Sequence, residues 1–359
     1  MNYKNRIKKL RTIFEKAGCD GFIVDNPLNI FYLTGQQLST GTLLITKKSC
    51  RLIIDSRYYE SCKNVCPFPV LLQAGDPLSQ ILEVKGFCEI THLGFDSQNT
   101  SYDKYLSYKA ILKKKSIKFI GIKNPVLELR SIKEPEEIEL LEKAANLGSE
   151  GFDYVCSILK PGITEEEVAR ELEIFWKRRG SRGLAFESII AFGKNSSMPH
   201  YRPKNVPLKK GDPVLVDIGV NLNHYHSDMT RVPFFGKPSK KMQEIYAIVL
   251  EAQLEALALC KPGARIADID AKSREVMERY GYAKYFTHGL GHGVGLEIHE
   301  LPVVKTKNPV ILQEGMIITI EPGLYLAGEG GVRIEDTIVL TKKGYSILTK
   351  VPKDLLILS

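Results

Sequence analysis

A tripeptide that occurs twice constrains this 359-residue chain more than any other feature: Lys160-Pro161-Gly162 and Lys261-Pro262-Gly263, 101 residues apart. Apolar residues at helical spacing run over 136–159 and 164–179 on either side of the first copy, and over 240–259 and 265–280 on either side of the second. A strand-rich segment follows each pair, at 188–233 and again from the end of the fourth helix to the C-terminus. Three-letter matches arise by chance, so the weight rests on the order of elements. Helix, loop, helix, strands, twice over, predicts an internally duplicated α+β domain whose two halves contribute strands to one sheet. Thr164 with Glu167 three residues on reads as a capping box that starts the second helix.

The first 125 residues have a different texture. Short apolar runs at 21–25, 42–46, 51–54, 70–73, 92–95 and 117–121 predict strands, and they alternate with helical stretches at 4–17, 57–64, 78–84 and 101–112. That alternation predicts a small α/β domain. Its first helix is basic and amphipathic, with Ile7, Leu10, Ile13 and Phe14 on one face, and no apolar core with a cleavage site follows it, so it reads as part of the fold rather than an export signal. No glycine-rich phosphate loop follows any of the strands. Residues 126–135, between Pro125 and Pro135, read as the linker between an N-terminal domain (1–125) and a C-terminal one (136–359).

Composition excludes several classes. No apolar run approaches the ~18 residues of a membrane span. The seven cysteines are odd in number and scattered, which argues for a reducing cytoplasm and against a disulfide framework. Cys62 and Cys66 have no second pair to complete a zinc site. The net charge of +8 comes from lysines spread in short runs such as Lys113-Lys114-Lys115. No basic stretch is interleaved with aromatics, so a solvated surface fits better than a nucleic-acid partner.

The chemistry concentrates in five places. The stretch THGLGHGVGLEIHE, residues 287–300, holds three of the seven histidines: His288, His292 and His299. The i, i+4 spacing of the first two suits a zinc pair on a helix. Yet Gly289, Gly291, Gly293 and Gly295 run through the stretch, and each costs a helix about 1 kcal/mol relative to Ala. An extended, glycine-rich strand and turn is the better reading, and Val294 at the third glycine position excludes a dinucleotide fingerprint. Four carboxylates, Asp217, Asp228, Glu321 and Glu335, interrupt or end strand-like apolar runs. A buried carboxylate is expensive unless it is paired or coordinates a cation. One alone could be a cap, or a salt bridge to Arg231 or Arg333. Four together with a glycine-flanked histidine predict a dimetal centre, with two cations ~3.5 Å apart held by about five ligands. So oxygen-rich a set favours Mn²⁺ over a thiolate-type zinc centre. His200 lies in the loop FGKNSSMPHYRP, while His224 and His226 read as strand-surface residues.

Here a resemblance becomes specific. The segments VDIG, SDMTR, GLGHGVGLEIHE, TIEPGLY and GVRIEDT resemble, in order and in context, the ligand segments of the "pita-bread" metallopeptidases, family M24, from about residue 132 to the end. Upstream, DGFIVDNPLNIFYLTG and DSRYYE (with Asp55 and Arg57) resemble the creatinase/prolidase N-terminal domain. Methionine aminopeptidases lack that domain, so the resemblance points to the proline-directed branch, aminopeptidase P and prolidase. It implies an α+β protein: an N-terminal creatinase/prolidase-like α/β domain followed by a duplicated pita-bread catalytic domain. It implies two divalent cations, Mn²⁺ first, with Co²⁺, Zn²⁺ or Fe²⁺ as alternatives. Asp217 would bind one metal, Asp228 and Glu335 would bridge, and His292 and Glu321 would complete the second. A metal-bridging water would be the nucleophile and Glu321 its proton carrier. His200, His288 and His299 match positions facing the substrate, and Arg333 would orient the ligand carboxylates. The implied partners are small peptides with proline second, and a second copy of the chain in a homodimer.

The two proline-directed activities differ in substrate length. A dipeptidase needs a cation for the substrate's free carboxylate, and many prolidase-like sequences supply an arginine just after the histidine–glutamate pair. Here the segment reads HELPVVK, with Val303 at that place and Lys305 and Lys307 beyond. Lysine lacks the planar fork that matches a carboxylate. Release of the first residue from longer peptides is therefore the expectation, and strict dipeptidase activity the alternative. A non-catalytic binding module would have lost ligands, and creatinase-type chemistry would not need all five.

Overall fold

Six strands carry the N-terminal unit of the computed structural model, which describes residues Met1–Ser359 and places this unit at Met1–Arg130 and a second at Ser131–Ser359. Chain order in the first is α1 (Tyr3–Lys16), β1 (Gly21–Val24), α2 (Pro27–Thr34), β2 (Thr42–Thr46), β3 (Cys50–Ile54), α3 (Ser56–Cys62), β4 (Val70–Leu72), α4 (Pro77–Ile81), β5 (His92–Asp96), α5 (Tyr102–Lys114), β6 (Lys118–Ile122) and α6 (Pro125–Arg130). The sheet runs β4-β3-β2-β1-β5-β6, antiparallel at its centre and parallel towards both edges. All six strands and four helices expected from periodicity are present. Two short helices were not anticipated. One, α2, starts at an Asn26 N-cap with Pro27 in its first turn and ends at Gly35 with φ 74°, a full set of boundary signals around too short a run to show a period. The other, α6, fills half of the segment expected as a linker. No helix of the chain is long and apolar enough to cross a membrane.

The second unit repeats itself as the tripeptides predict. Its first half holds α7 (Pro135–Ile158), α8 (Glu165–Arg178), β7 (Gly183–Leu184), β8 (Ile189–Phe192), β9 (Val214–Ile218), β10 (Val220–Leu222), β11 (Tyr225–His226), β12 (Met229–Arg231) and β13 (Phe234–Phe235). Its second half holds α9 (Lys240–Ala258), α10 (Ile266–Arg279), β14 (Gly291–Gly293), β15 (Glu300–Val304), β16 (Ile317–Ile320), β17 (Gly323–Leu326), β18 (Gly330–Arg333), β19 (Asp336–Leu340) and β20 (Tyr345–Ile347), and β21 (Ile357–Leu358) closes against β13. Each half folds as strand, acidic residue, hairpin, acidic residue, strand. In the first, the hairpin β10–β11 turns through Asn223 and His224, both at positive φ, the signature of a two-residue type I′ turn. The capping box at Thr164 and Glu167 forms, each side chain bonding the other's backbone N–H.

One expectation needs correction: the two halves do not form a single ladder. They build β12-β9-β8 on one side and β15-β14-β16-β19-β20 on the other, and the two meet at a lone bridge between Thr230 and Glu335. The cause is local. Arg231 Nη1 donates to both the Thr230 and the Glu335 carbonyl oxygens, and the Thr337 hydroxyl donates to the Asp228 carbonyl at 2.8 Å. The Thr230 carbonyl still accepts the Glu335 N–H of the bridge, while side chains occupy the Glu335 and Asp228 carbonyls, which a continuous ladder would have used. Two apolar cores lie under the halves, one centred on Trp176, Val168 and Leu172, the other on Val249, Ile269 and Ile338.

Candidate metal centre

Strand alternation explains how the acidic residues converge. Asp217 lies in β9, opposite Thr230 of β12, and Asp228 precedes Thr230 by two positions, so both share a face. Glu335 meets Thr230 across the bridge, and the Thr230 hydroxyl donates to Glu335 Oε2 at 2.7 Å. Glu321 follows β16 directly, its N–H held by the Leu290 carbonyl at 2.9 Å. His292 lies in β14, where its backbone N–H donates to the Thr319 hydroxyl at 3.0 Å, and the same hydroxyl donates to Glu321 Oε1 at 3.1 Å. This tight packing needs glycine beside the histidine, because a Cβ on Gly291 would run into the Thr319 carbonyl.

Asp228, His292 and Glu335 present one ligand atom each within 4.8 Å of one another. His292 Nδ1 lies 3.0 Å from the Gly293 carbonyl, which can only accept, so Nδ1 carries the proton and Nε2 is left with its lone pair. That lone pair faces Asp228 Oδ2 and Glu321 Oε1, both at 3.4 Å. Burial, reinforced by Glu335 and Asp217, pushes the Asp228 carboxyl well above the usual carboxylate range, and burial with the charges of Glu321 and Asp217 does the same to Glu335. Burial brings Glu321 to about 8 and lowers the His292 imidazole. A set of acceptors, three buried and two half-buried, with nothing to donate between them fits divalent cations, and its oxygen-rich composition fits hard ones.

Around this set runs a chain of donors. Arg333 gives Nη2 to Asp217 Oδ2, Nε to the Thr230 hydroxyl at 3.1 Å and Nη1 to the Tyr325 hydroxyl at 2.6 Å. The Tyr325 hydroxyl lies 2.8 Å from His288 Nε2, and His288 Nδ1 lies 2.7 Å from the Gly289 carbonyl. Since that carbonyl fixes the proton on Nδ1, Nε2 accepts from Tyr325. Burial, then the neighbouring Arg333 charge, pushes His288 down to about 4, consistent with a neutral ring. His288, expected to face substrate, is half-buried, and both of its ring nitrogens are engaged by Gly289 and Tyr325. His299 is exposed and stands edge-on to His292, ring centroids 4.4 Å apart. His200 is exposed in its loop, near enough to both His288 and His299 to disfavour their protonated forms. Val303 pairs with His292 across the β14–β15 ladder and is 39% exposed.

Sequence reasoning did not single out Thr230, Thr319 and Tyr325. For the threonines a signal existed: each lies two positions from a carboxylate in a strand, hence on the same face. Tyr325 had none, because its partners come from Arg333 and from His288, 37 residues away.

Comparison with known proteins agrees with this geometry. Residues 139–342 match the model of metallopeptidase family M24, and residues 6–132 match that of the creatinase/prolidase N-terminal domain. The chain is 37% identical over 358 residues to the Xaa-Pro dipeptidase of Pyrococcus furiosus, covering 98% of this chain and 100% of that one. The solved Xaa-Pro dipeptidase from Bacillus anthracis is 37% identical with a TM-score of 0.94, covering 99% of this chain and 100% of that one. The X-Pro aminopeptidase from Thermotoga maritima is 32% identical with a TM-score of 0.88, covering 96% and 99%.

Proposed function

We propose that this chain, which belongs to metallopeptidase family M24, hydrolyses the bond between an N-terminal residue and a following proline at a centre holding two divalent cations. It is a metal-dependent peptidase built from the M24 domain and the creatinase/prolidase N-terminal domain. The observation that carries the reading is the His292 lone pair facing the buried Asp228 and half-buried Glu321 carboxylates, in a chain whose full-length relatives include proteins with proline-directed names. Asp217, Asp228, His292, Glu321 and Glu335 would hold the cations, and Mn²⁺ suits four carboxylates and one imidazole. When bound, such cations activate a water and polarise the scissile carbonyl.

The side chains supply the rest. Glu321 spends Oε1 on the Thr319 hydroxyl, which leaves Oε2 to take a proton and pass it towards the leaving nitrogen. Arg333 fixes Asp217 and, through Tyr325, meets a neutral His288. His200 and His299, both exposed, would donate to the substrate near the scissile bond.

On substrate length we favour release of the first residue from peptides longer than two. Val303 presents apolar surface beside His292 where a dipeptide's carboxylate would call for a cation. Restriction to dipeptides is the second reading, favoured by the two 37%-identical relatives named Xaa-Pro dipeptidases. Purified protein with Mn²⁺ is to be assayed on an Xaa-Pro dipeptide and the matching Xaa-Pro-Xaa tripeptide. Cleavage of the tripeptide with the higher kcat/KM supports the first reading, preference for the dipeptide the second, and cleavage of neither under any divalent metal ends both.

A further inference from the structure

Glu165 opens α8, yet its side chain is fully buried and works outside that helix. Four donors converge on the carboxylate. Phe192 N–H reaches Oε1 at 2.7 Å and Asn195 Nδ2 reaches it at 3.0 Å. The Tyr201 hydroxyl reaches Oε2 at 2.8 Å and Lys204 N–H at 3.1 Å. Asn195 Nδ2 also donates to the Tyr201 hydroxyl oxygen at 2.9 Å, so the donors are tied to each other as well. A carboxylate offers about four acceptor sites, and here all are used by one loop, residues 192–204. Hydrogen bonds to an ionised acceptor are about twice as strong as neutral ones.

The middle of this loop has a second anchor. Gly331 N–H donates to the Ser196 hydroxyl at 2.8 Å, and the Ser196 carbonyl lies where a Cβ of Gly331 would be. Arg333 Nη2 reaches the Pro199 carbonyl at 3.4 Å, with the same nitrogen that holds Asp217. The residue before His200 is therefore pinned to the metal centre, and the residue after it, Tyr201, is pinned to Glu165. His200 itself is exposed between them.

We propose that Glu165 is a positioning residue, whose buried carboxylate gathers the 192–204 loop and so fixes where His200 meets the substrate. The proposal rests on the reading above in which His200 touches substrate. A carboxylate serving only the positive end of α8 would bond that helix's own N–H groups. This one directs its four bonds to a loop 27 to 39 residues away.

The test uses the full-length protein. Glu165→Gln replaces one oxygen with an amide that points its own donors at two of the four. Tyr201→Phe removes a single donor and is the milder variant, which decides alone if Glu165→Gln does not fold. In the metal-free protein, hydrogen exchange should quicken at the amides of residues 192–204 in either variant and stay unchanged in β9. With Mn²⁺, kcat/KM on an Xaa-Pro peptide should fall roughly ten- to a hundredfold for Glu165→Gln, as for a misplaced catalytic group, while calorimetric Mn²⁺ affinity stays within about twofold of wild type. Adding Glu165→Gln to His200→Ala should cause no further loss. If His200→Ala has wild-type turnover, the reading of His200 fails and takes this proposal with it. If His200→Ala is impaired but the Glu165 and Tyr201 variants are not, or if Glu165→Gln costs as much with His200 absent as present, the positioning role alone is overturned.

Discussion

His292 Nε2 and Asp228 Oδ2 face each other at 3.4 Å, and with Nδ1 committed to the Gly293 carbonyl only a proton or a cation can bridge them. Anything that binds the folded state alone stabilises it by mass action, about 2.7 kcal/mol at a hundredfold excess over Kd. Mn²⁺ should therefore raise the melting temperature and a chelator should lower it again. His292→Ala and Glu335→Ala should each lose most of that response. A wild-type melting curve indifferent to both Mn²⁺ and chelator would leave the centre without a metal.

Arg333 holds Asp217 with one nitrogen, Thr230 with another and Tyr325 with the third. Removing a residue that orients metal ligands usually costs 10- to 100-fold in metal affinity or activity. Arg333→Met should lose about that much. Arg333→Lys should recover little of it, because an ammonium cannot reach three partners arranged for a planar fork. Recovery to near wild type would mean that charge alone matters at this position.

How much of this was open to a reader of the sequence depends on the range over which each feature is determined. The five proposed ligands were legible because four are acidic residues in or at the end of apolar strands, a set whose burial together calls for a cation, and the fifth, His292, stands among glycines. The helices of the second unit were legible from their period. The break between the two ladders was not, since it depends on the Arg231 guanidinium finding the Glu335 carbonyl across 104 residues. Nor was the state of His288. The resemblance implied a ring facing substrate, while its partners, Gly289 and Tyr325, follow from a backbone path that glycines allow but do not specify.

Val303 lies across the ladder from His292. Directly opposed residues in an antiparallel pair have Cβ atoms about 4.5–5.5 Å apart, so an arginine here would start beside His292 at the candidate metal centre. Val303→Arg should shift the ratio of kcat/KM for Xaa-Pro over Xaa-Pro-Xaa towards the dipeptide by about tenfold, the effect of one charge-assisted pair worth roughly 1.4 kcal/mol. An unchanged ratio would remove Val303 from the determinants of substrate length.

His288 gives a pH dependence whose sign can be worked out. Its folded-state pKa of about 4 lies below the ordinary 6.5, because burial and then Arg333 disfavour the imidazolium. The unfolded chain therefore takes up a proton that the folded one refuses. The stability from this group is fully present above pH 6.5 and is lost as pH falls from there towards 4. His288→Gln removes that titration. In urea unfolding between pH 7.5 and 4.5, wild type should lose stability more steeply than the variant, and parallel curves would show that His288 titrates normally.

Lys133 and Glu300 form an ion pair at 2.8 Å with both side chains only 1% exposed. Lys133 N–H also bonds the Gly315 carbonyl at 2.8 Å, so this pair links the start of β16, which leads to Glu321, with the start of β15, next to His299. Leaving one member of a buried pair unpaired typically costs about 3–5 kcal/mol, whereas replacing both by apolar groups of similar volume is often close to neutral. Lys133→Met and Glu300→Leu should each destabilise by about that amount in urea unfolding. The double variant should recover most of the loss, because no uncompensated charge remains. If the two losses simply add, the residues contribute independently and the pairing is not what keeps them buried.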